Sequence, residues 1–346
     1  MREPPFQRRL SDGRRHFHDG PIDLVIEAFG EDRAVEAAYA AAWRRFAGVL
    51  DELCDELPLL RAPSPPTSAR PRGIVARRMA AAVAPFHAER FVTPMAAVAG
   101  AVAEEILHAM NEAASLARAY VNNGGDIALH LAPNEAFAIG MVARPDHPEM
   151  FGRAAIRASD PVRGVATSGW RGRSFSLGIA DAVTVLASSA AVADAAATLI
   201  ANAVDLPGHP AIERTPARDL DPQSDLGDRL VTTDVGRLAA DEIDLALAAG
   251  ALEAEHWRRA GVIEAAALRL GGEVRSCQRP RYPSPALAGE GWGEGRSNYD
   301  DPHPAPSPVE RRASLTPYGA TFSRGERQKG NAPCPPRREA LQNREF

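Results

Sequence analysis

Three short segments hold residue types and spacings that could do chemistry. In ADAAAT, Asp194 and Thr198 are four residues apart, so on a helix both project from one face. A carboxylate beside a hydroxyl offers hard oxygen donors of the kind Mg²⁺ takes while keeping several waters. The alanines between them leave room for a bound group, although an Asp and a Thr are also commonplace on any helix surface. In VNNGGD, Asn122, Asn123 and Asp126 surround Gly124 and Gly125. Adjacent glycines allow a left-handed backbone and close approach to a ligand, so the turn could seat a phosphate or sugar hydroxyl on main-chain N–H groups. The same residues also read as a helix C-cap. In GVATSGWRGRSFS, Thr167, Ser168, Gly169, Arg173 and Ser176 form a stretch dense in hydroxyls, glycines and arginines. Arg171 and Arg173 could neutralise phosphate and Trp170 could stack on a flat ring, with a flexible surface loop as the plain alternative.

Other chemistries fail on composition or spacing. The 346 residues include one lysine, Lys329, so the first 272 residues can build neither a GxxxxGK[ST] phosphate loop nor a Schiff base. A serine elbow needs GxSxG, and Gly172-Arg-Ser174-Phe-Ser176 ends in serine. The acidic run from Asp219 to Asp228 has Ser224 where a calcium loop needs glycine, which leaves a solvated loop. Cys54, Cys277 and Cys334 show no CxxC spacing, which argues against a disulfide scaffold, a zinc ribbon or an iron–sulfur site. No HExxH occurs among the nine histidines; His16 and His18 flank Phe17 ahead of the first strand and read as surface residues.

The net charge is −5, and the first 272 residues carry 28 basic against 36 acidic groups, which argues against a nucleic-acid binder. The first residues have no apolar segment of signal-peptide type, and no apolar run is long enough to span a bilayer. The expectation is a cytoplasmic protein that does not engage membranes, with oligomerisation left open.

The elements that must position these segments follow from periodicity and turn chemistry. Residues 21–30 read as a strand and 33–57 as one amphipathic helix. Thr93-Pro94 opens a helix running to about Tyr120, with Thr93 as N-cap. Residues 126–132 and 137–143 read as a hairpin, and 162–167 and 182–187 as strands. Ser188 or Ser189 caps a helix reaching Val204, and two helical segments cover 241–270. Irregular alternation of strands and helices gives an α+β class. Residues 1–272 form one body. Residues 273–346 hold 11 of the 29 prolines and no sustained apolar period, so they read as a disordered tail resembling translated intergenic sequence.

Five segments together carry a resemblance: RRHFHDGPIDL from Arg14, TPMAAVAGAVAEE from Thr93, VNNGGDIAL from Val121, the run from Gly164 to Ala187, and ADAAATLIANAVDLPGHP from Ala193. They resemble an uncharacterised protein family of the superfamily of ApbE, the FAD:protein FMN transferase, over about residues 8–270. The resemblance implies a T-fold-like α+β architecture, a bound FAD or other phosphorylated ligand, Mg²⁺, and transfer of FMN to a protein Thr or Ser. On it, Asp194 and Thr198 would be the metal pair. Asn123, Gly124, Gly125, Asp126, Thr167, Ser168, Gly169, Arg173 and Ser176 would bind the cofactor. The chain departs from the transferases in two places. SFSLGIADAV from Ser174 lacks their histidine, and Val98-Ala99-Gly100 stands where they have a lysine-containing segment. No residue emerges as general base. The alternative expectation is therefore a binding or accessory protein without the transfer step, for example in sulfur assimilation, with Cys54 as its thiol.

Overall fold

The computed structural model describes residues 2–64, 70–142, 150–278 and 314–315. The chain starts with an antiparallel meander of β1 (Phe6–Arg9), β2 (Arg15–Asp19) and β3 (Ile22–Phe29). Along β3 burial alternates, with Leu24, Ile26 and Ala28 turned into the core, as a half-covered strand requires. Four helices follow: α1 (Asp32–Phe46), α2 (Val49–Asp55), α3 (Leu57–Leu60) and α4 (Ile74–Val83). The single helix expected over 33–57 is broken at Ala47-Gly48 and again at Glu56. Glycine weakens a helix interior, and Pro58 fits only in the first turn of a new one.

A 3₁₀ turn over Pro94–Ala97 runs into α5 (Val98–Ala113). Thr93 does not cap it; its hydroxyl is spent on Asp225 instead. The acidic loop is accordingly packed against this turn rather than wholly solvated. The next strands are β4 (Arg118–Asn123), β5 (Asp126–Leu131), β6 (Ala136–Val142), β7 (Met150–Arg157), β8 (Gly164–Ser168) and β9 (Ala182–Ala187). After them come α6 (Ala190–Ala203), β10 (Ile212–Pro216), α7 (Ala217–Leu220), β11 (Leu230–Val235), α8 (Ala240–Arg259), β12 (Ala265–Leu270) and β13 (Glu273–Gln278). Ser189 caps α6 by accepting the Val192 N–H at 3.2 Å, as its position predicts.

Nine strands join in one antiparallel sheet of order β1-β2-β3-β4-β5-β8-β9-β12-β13. The helices pack on one face, around a core that takes in Leu24, Phe46, Met79, Ile106, Val183 and Ile200. On the other face β6 and β7 form a small second sheet, with the pair Ser314–Leu315 running parallel to β6. Phe137, Ile139 and Ile156 from this small sheet bury against Tyr120, Ile127, Leu129 and Val165 of the large one. The fold is α+β, a mixed body in layers.

Four expectations are corrected. The helix expected to reach Tyr120 ends at Ala113, and 118–123 is strand β4. The strands around Asn134 both exist, but they do not pair: β5 lies between β4 and β8, while β6 pairs β7. Most of β5 is buried, so it serves as an interior strand, and the β6 apolar face covers it from the side. The second helix expected before Leu270 is strand β12, whose AAALRL alternates half-buried and buried residues. The body also extends past 272. Gly271 and Gly272, both at positive φ, form the two-residue turn that folds β13 back onto β12. The remainder of the expected tail lies outside the described residues.

Helix α6 is central, because its small residues let it approach its neighbours closely. A Cβ on Gly100 of α5 would sit 2.2 Å from the Ala190 carbonyl oxygen, and one on Gly164 of β8 would sit 2.1 Å from Ser189 backbone. These approaches bring the N-terminal turns of α5 and α6, the end of β8 and the β4–β5 turn to one place.

Candidate functional site

At that meeting point stand two carboxylates from different elements. Asp194, on the second turn of α6, accepts the Gly100 N–H at 3.0 Å through Oδ2, and the Ala99 N–H as well. The first turn of α5 thus offers its unpaired backbone donors to this side chain. The neighbouring carbonyl of Ala99 accepts from Asn123 Nδ2 at 3.2 Å, which ties β4 to the same turn. Asp126, first residue of β5, accepts the Thr167 N–H at 3.3 Å. Both aspartates are half-buried.

Burial pushes the Asp126 carboxyl up to about 7, against the pull of the Thr167 N–H and the Arg173 charge. Asp194 is raised well above the usual carboxylate range, by burial first and by the neighbouring Asp126 charge second; the helix-terminal donors do not offset this. Two mutually repelling carboxylates with raised proton affinity form a site that would gain from a cation. A stability consequence follows. An unfolded aspartate titrates near ~3.9. Between there and about 7 the folded protein keeps a proton on Asp126 that the unfolded chain releases. Ligand-free stability therefore falls as pH rises through this window. Asp126→Asn should flatten that decline, a result that thermal melts at pH values from 4 to 8 would reveal.

The VNNGGD segment is a two-residue hairpin turn, and the helix-cap reading of it is set aside. Gly124 and Gly125 have φ of +68° and +119°, the left-handed region that favours glycine. The Gly125 N–H is already donated to Asn122 Oδ1 at 2.8 Å, so this amide is not free for a phosphate. Bare backbone at Gly124 has a different use: the Arg173 guanidinium lies across it, where a Cβ would come within 1.6 Å of Nη2. Arg173 itself is exposed.

The structure thus brings together Asn123, Gly124, Gly125, Asp126, Thr167, Arg173 and Asp194. Thr198 shares the Asp194 helix face one turn on, half-buried. Thr167 contributes its N–H, since its hydroxyl is paired with Thr184 Oγ1 at 2.9 Å. Ser168 and Gly169 continue from it, the latter against the Asp181 backbone. Ser176 stands elsewhere. It is buried, and its hydroxyl bonds Asn202 Oδ1 at 3.3 Å and the Gly178 N–H at 3.2 Å. Asn202 is eight residues beyond Asp194 on α6, about 12 Å along the axis. Arg171 and Trp170 are also engaged: the guanidinium covers the indole at 4.2 Å and pairs with Asp181 at 3.1 Å.

The sequence marked Val98-Ala99-Gly100 only as the place where the resembling transferases have a lysine-containing segment. That its backbone N–H groups donate to Asp194 was not legible there. Cys277, expected in a tail, is a buried residue of β13; its thiol donates to Glu255 Oε2 at 3.0 Å.

The model of a family described as AbpE bacteria matches residues 7–276, and the chain belongs to that family. This agrees with the resemblance read from its motifs, and the family is an uncharacterised one related to ApbE. A UPF0280 protein of Methanopyrus kandleri is 43% identical over 129 residues, covering 37% of this chain and 48% of that protein. A UPF0280 protein of Methanothrix thermoacetophila is 40% identical over 131 residues, covering 38% and 52%. The chain spans about half the length of the curated relatives it matches. Among solved structures, the apo flavinyl transferase ApbE of Pseudomonas stutzeri is 14% identical with a TM-score of 0.39, covering 80% of this chain and 94% of that one. The flavin transferase ApbE of Vibrio cholerae is 15% identical with a TM-score of 0.29, covering 80% and 97%. Among the described residues no helix is long and apolar enough to cross a membrane.

Proposed function

We propose that this chain binds FAD or another phosphorylated ligand together with Mg²⁺, with FMN transfer to a protein hydroxyl as the reaction of that site. The observation that carries the reading is the Asp126–Asp194 pair: two carboxylates from separate elements, held close enough for the Asp126 charge to act on Asp194, each with its proton affinity raised. Their oxygens, with the Thr198 hydroxyl one turn along α6, are the hard donor set that Mg²⁺ takes. Mg²⁺ held there would polarise a phosphoryl oxygen. Arg173, stretched over the bare Gly124 backbone, supplies a guanidinium for the phosphate, and bidentate pairing suits it to that task. Asn123 keeps the Ala99–Gly100 backbone aligned toward Asp194. Family membership supports the flavin.

A second reading is a binding or accessory protein that lacks the transfer step. It is favoured by the histidines: among the described residues, none hydrogen-bonds to Asp126 or Asp194. His130 is turned to the Leu116 carbonyl and His209 to Glu242. A sulfur-handling version of this reading gains nothing from Cys277, because burial, then Glu255, pushes its thiol up to about 11 and away from thiolate reactivity.

The test is thermal shift on the full chain with FAD, FMN, ADP and ATP, each with Mg²⁺ or EDTA. Ligand at 100 times its dissociation constant should stabilise by about 2.7 kcal/mol. A Mg²⁺-dependent shift with FAD supports the proposal, and no shift with any flavin or nucleotide overturns it. Incubation with FAD and candidate acceptor proteins, read by mass, then separates transfer from binding alone.

A further inference from the structure

A second cluster of ligating side chains lies on the opposite face of the large sheet, away from the Asp126–Asp194 pair. His16 and His18 are two residues apart on β2, so both imidazoles leave the same face. Asp23 on β3 is the direct cross-strand partner of His18 and shares that face. His16 Nε2 lies 2.6 Å from Asp23 Oδ1, and His18 Nδ1 lies 3.7 Å from Oδ2. One nitrogen of each ring and one carboxylate oxygen fall within 4.8 Å of one another. Phe6 of β1, paired with His18 across the strands, closes one side, its ring centroid 5.1 Å from that of His18 and 5.7 Å from that of His16. His16 is buried, while His18 and Asp23 are half-buried, so the cluster is rooted in the sheet and open at one end.

We propose that His16, His18 and Asp23 form a three-ligand site for a borderline divalent cation of the Zn²⁺ class, separate from the Asp126–Asp194 pair. Two imidazoles and a carboxylate are the donors that zinc and its neighbours select, whereas Mg²⁺ takes oxygen. Three protein ligands leave a fourth tetrahedral position for water or an anion. The hydrogen bonds also define how the site loads. Arg8 Nε donates to His16 Nδ1 at 2.9 Å, so the ring carries its proton on Nε2 and donates it to Asp23. Loading moves that proton: Nε2 gives it up to the solvent, Nδ1 takes one, and His16 stays neutral with its lone pair on the cation. Arg8 must let go of Nδ1, and it is free to do so on the exposed strand β1. The β3–β4 register sets Leu24 against Asn123, so Asp23 is one step from the Gly124 turn over which Arg173 lies.

The experiment is titration of the untagged, EDTA-treated full chain with Co²⁺, read by visible absorption. The expected result is one equivalent bound, with the intense bands of tetrahedral cobalt lacking a thiolate charge-transfer band. Zn²⁺ displaces the cobalt and millimolar Mg²⁺ does not. His18→Ala and Asp23→Asn each weaken binding by more than the roughly 100-fold that marks the upper end for loss of an outer-shell partner. Asp194→Asn leaves the titration unchanged, which separates this site from the proposed function. The His18 side chain is 39% exposed and Asn matches Asp in shape, so unchanged melting curves serve as the folding control. Absence of the cobalt bands, or binding that survives both substitutions, overturns the assignment.

Discussion

Asp194→Asn should abolish the Mg²⁺-dependent stabilisation by nucleotide while making the ligand-free protein more stable at pH 8. The two effects have opposite signs because they come from the same charge. The asparagine oxygen can still accept from the Gly100 N–H, so the α5–α6 contact survives. What disappears is a carboxylate that burial and the Asp126 charge disfavour in the absence of a cation. With a cation, the same charge is the attraction. A ligand shift of about 2.7 kcal/mol at saturation would fall to within error, and the ligand-free melting temperature would rise. Retention of the Mg²⁺-dependent shift in this variant would remove Asp194 from the site.

Gly100→Ala should damage fold and site together. The added Cβ would lie 2.2 Å from the Ala190 carbonyl oxygen, 2.5 Å from its carbon and 2.7 Å from the Ala191 nitrogen. All three are backbone atoms of a helix, so no rotamer change can relieve the contact. Helix α5 must move away from α6, at a cost of about 3 kcal/mol, the upper part of the range for overpacking. For a body of this size that lowers the melting temperature by roughly 6–12 °C. The movement also withdraws the Gly100 N–H from Asp194, so ligand response should fall in the protein that remains folded. Differential scanning calorimetry with and without Mg²⁺ and FAD measures both. A melting temperature within 2 °C of wild type, expected of roughly half a kcal/mol or less, would show that the helices are not locked at this crossing.

Local chemistry was enough to place several elements. The strand before Gly30, the strand 182–187 and the Ser189-capped helix follow from alternation, β-branched content and one hydroxyl at a boundary. Asp194 and Thr198 shared a face as soon as that helix was drawn. The acidic, lysine-free character of the first 272 residues excluded phosphate loops and Schiff bases outright.

Pairing and proximity needed the tertiary structure, because they depend on contacts between residues far apart in the chain. The glycine turn could be a helix end or a hairpin until β3 and β5 took their places on either side of β4. The two strands around Asn134 read as partners by spacing, yet burial on both faces of β5 demanded β8 instead. Asp126 and Asp194 are 68 residues apart, and their coupling exists only because Gly100 and Gly164 let helix backbone approach to contact distance. Likewise Ser176 belonged to the chemistry by composition, and the structure spends its hydroxyl on Asn202. The sequence by itself determined which donors were available and which reactions were closed to it. The packing of small residues around α6 decided which of those donors meet, since their meeting is set by how closely backbones approach and not by any local spacing.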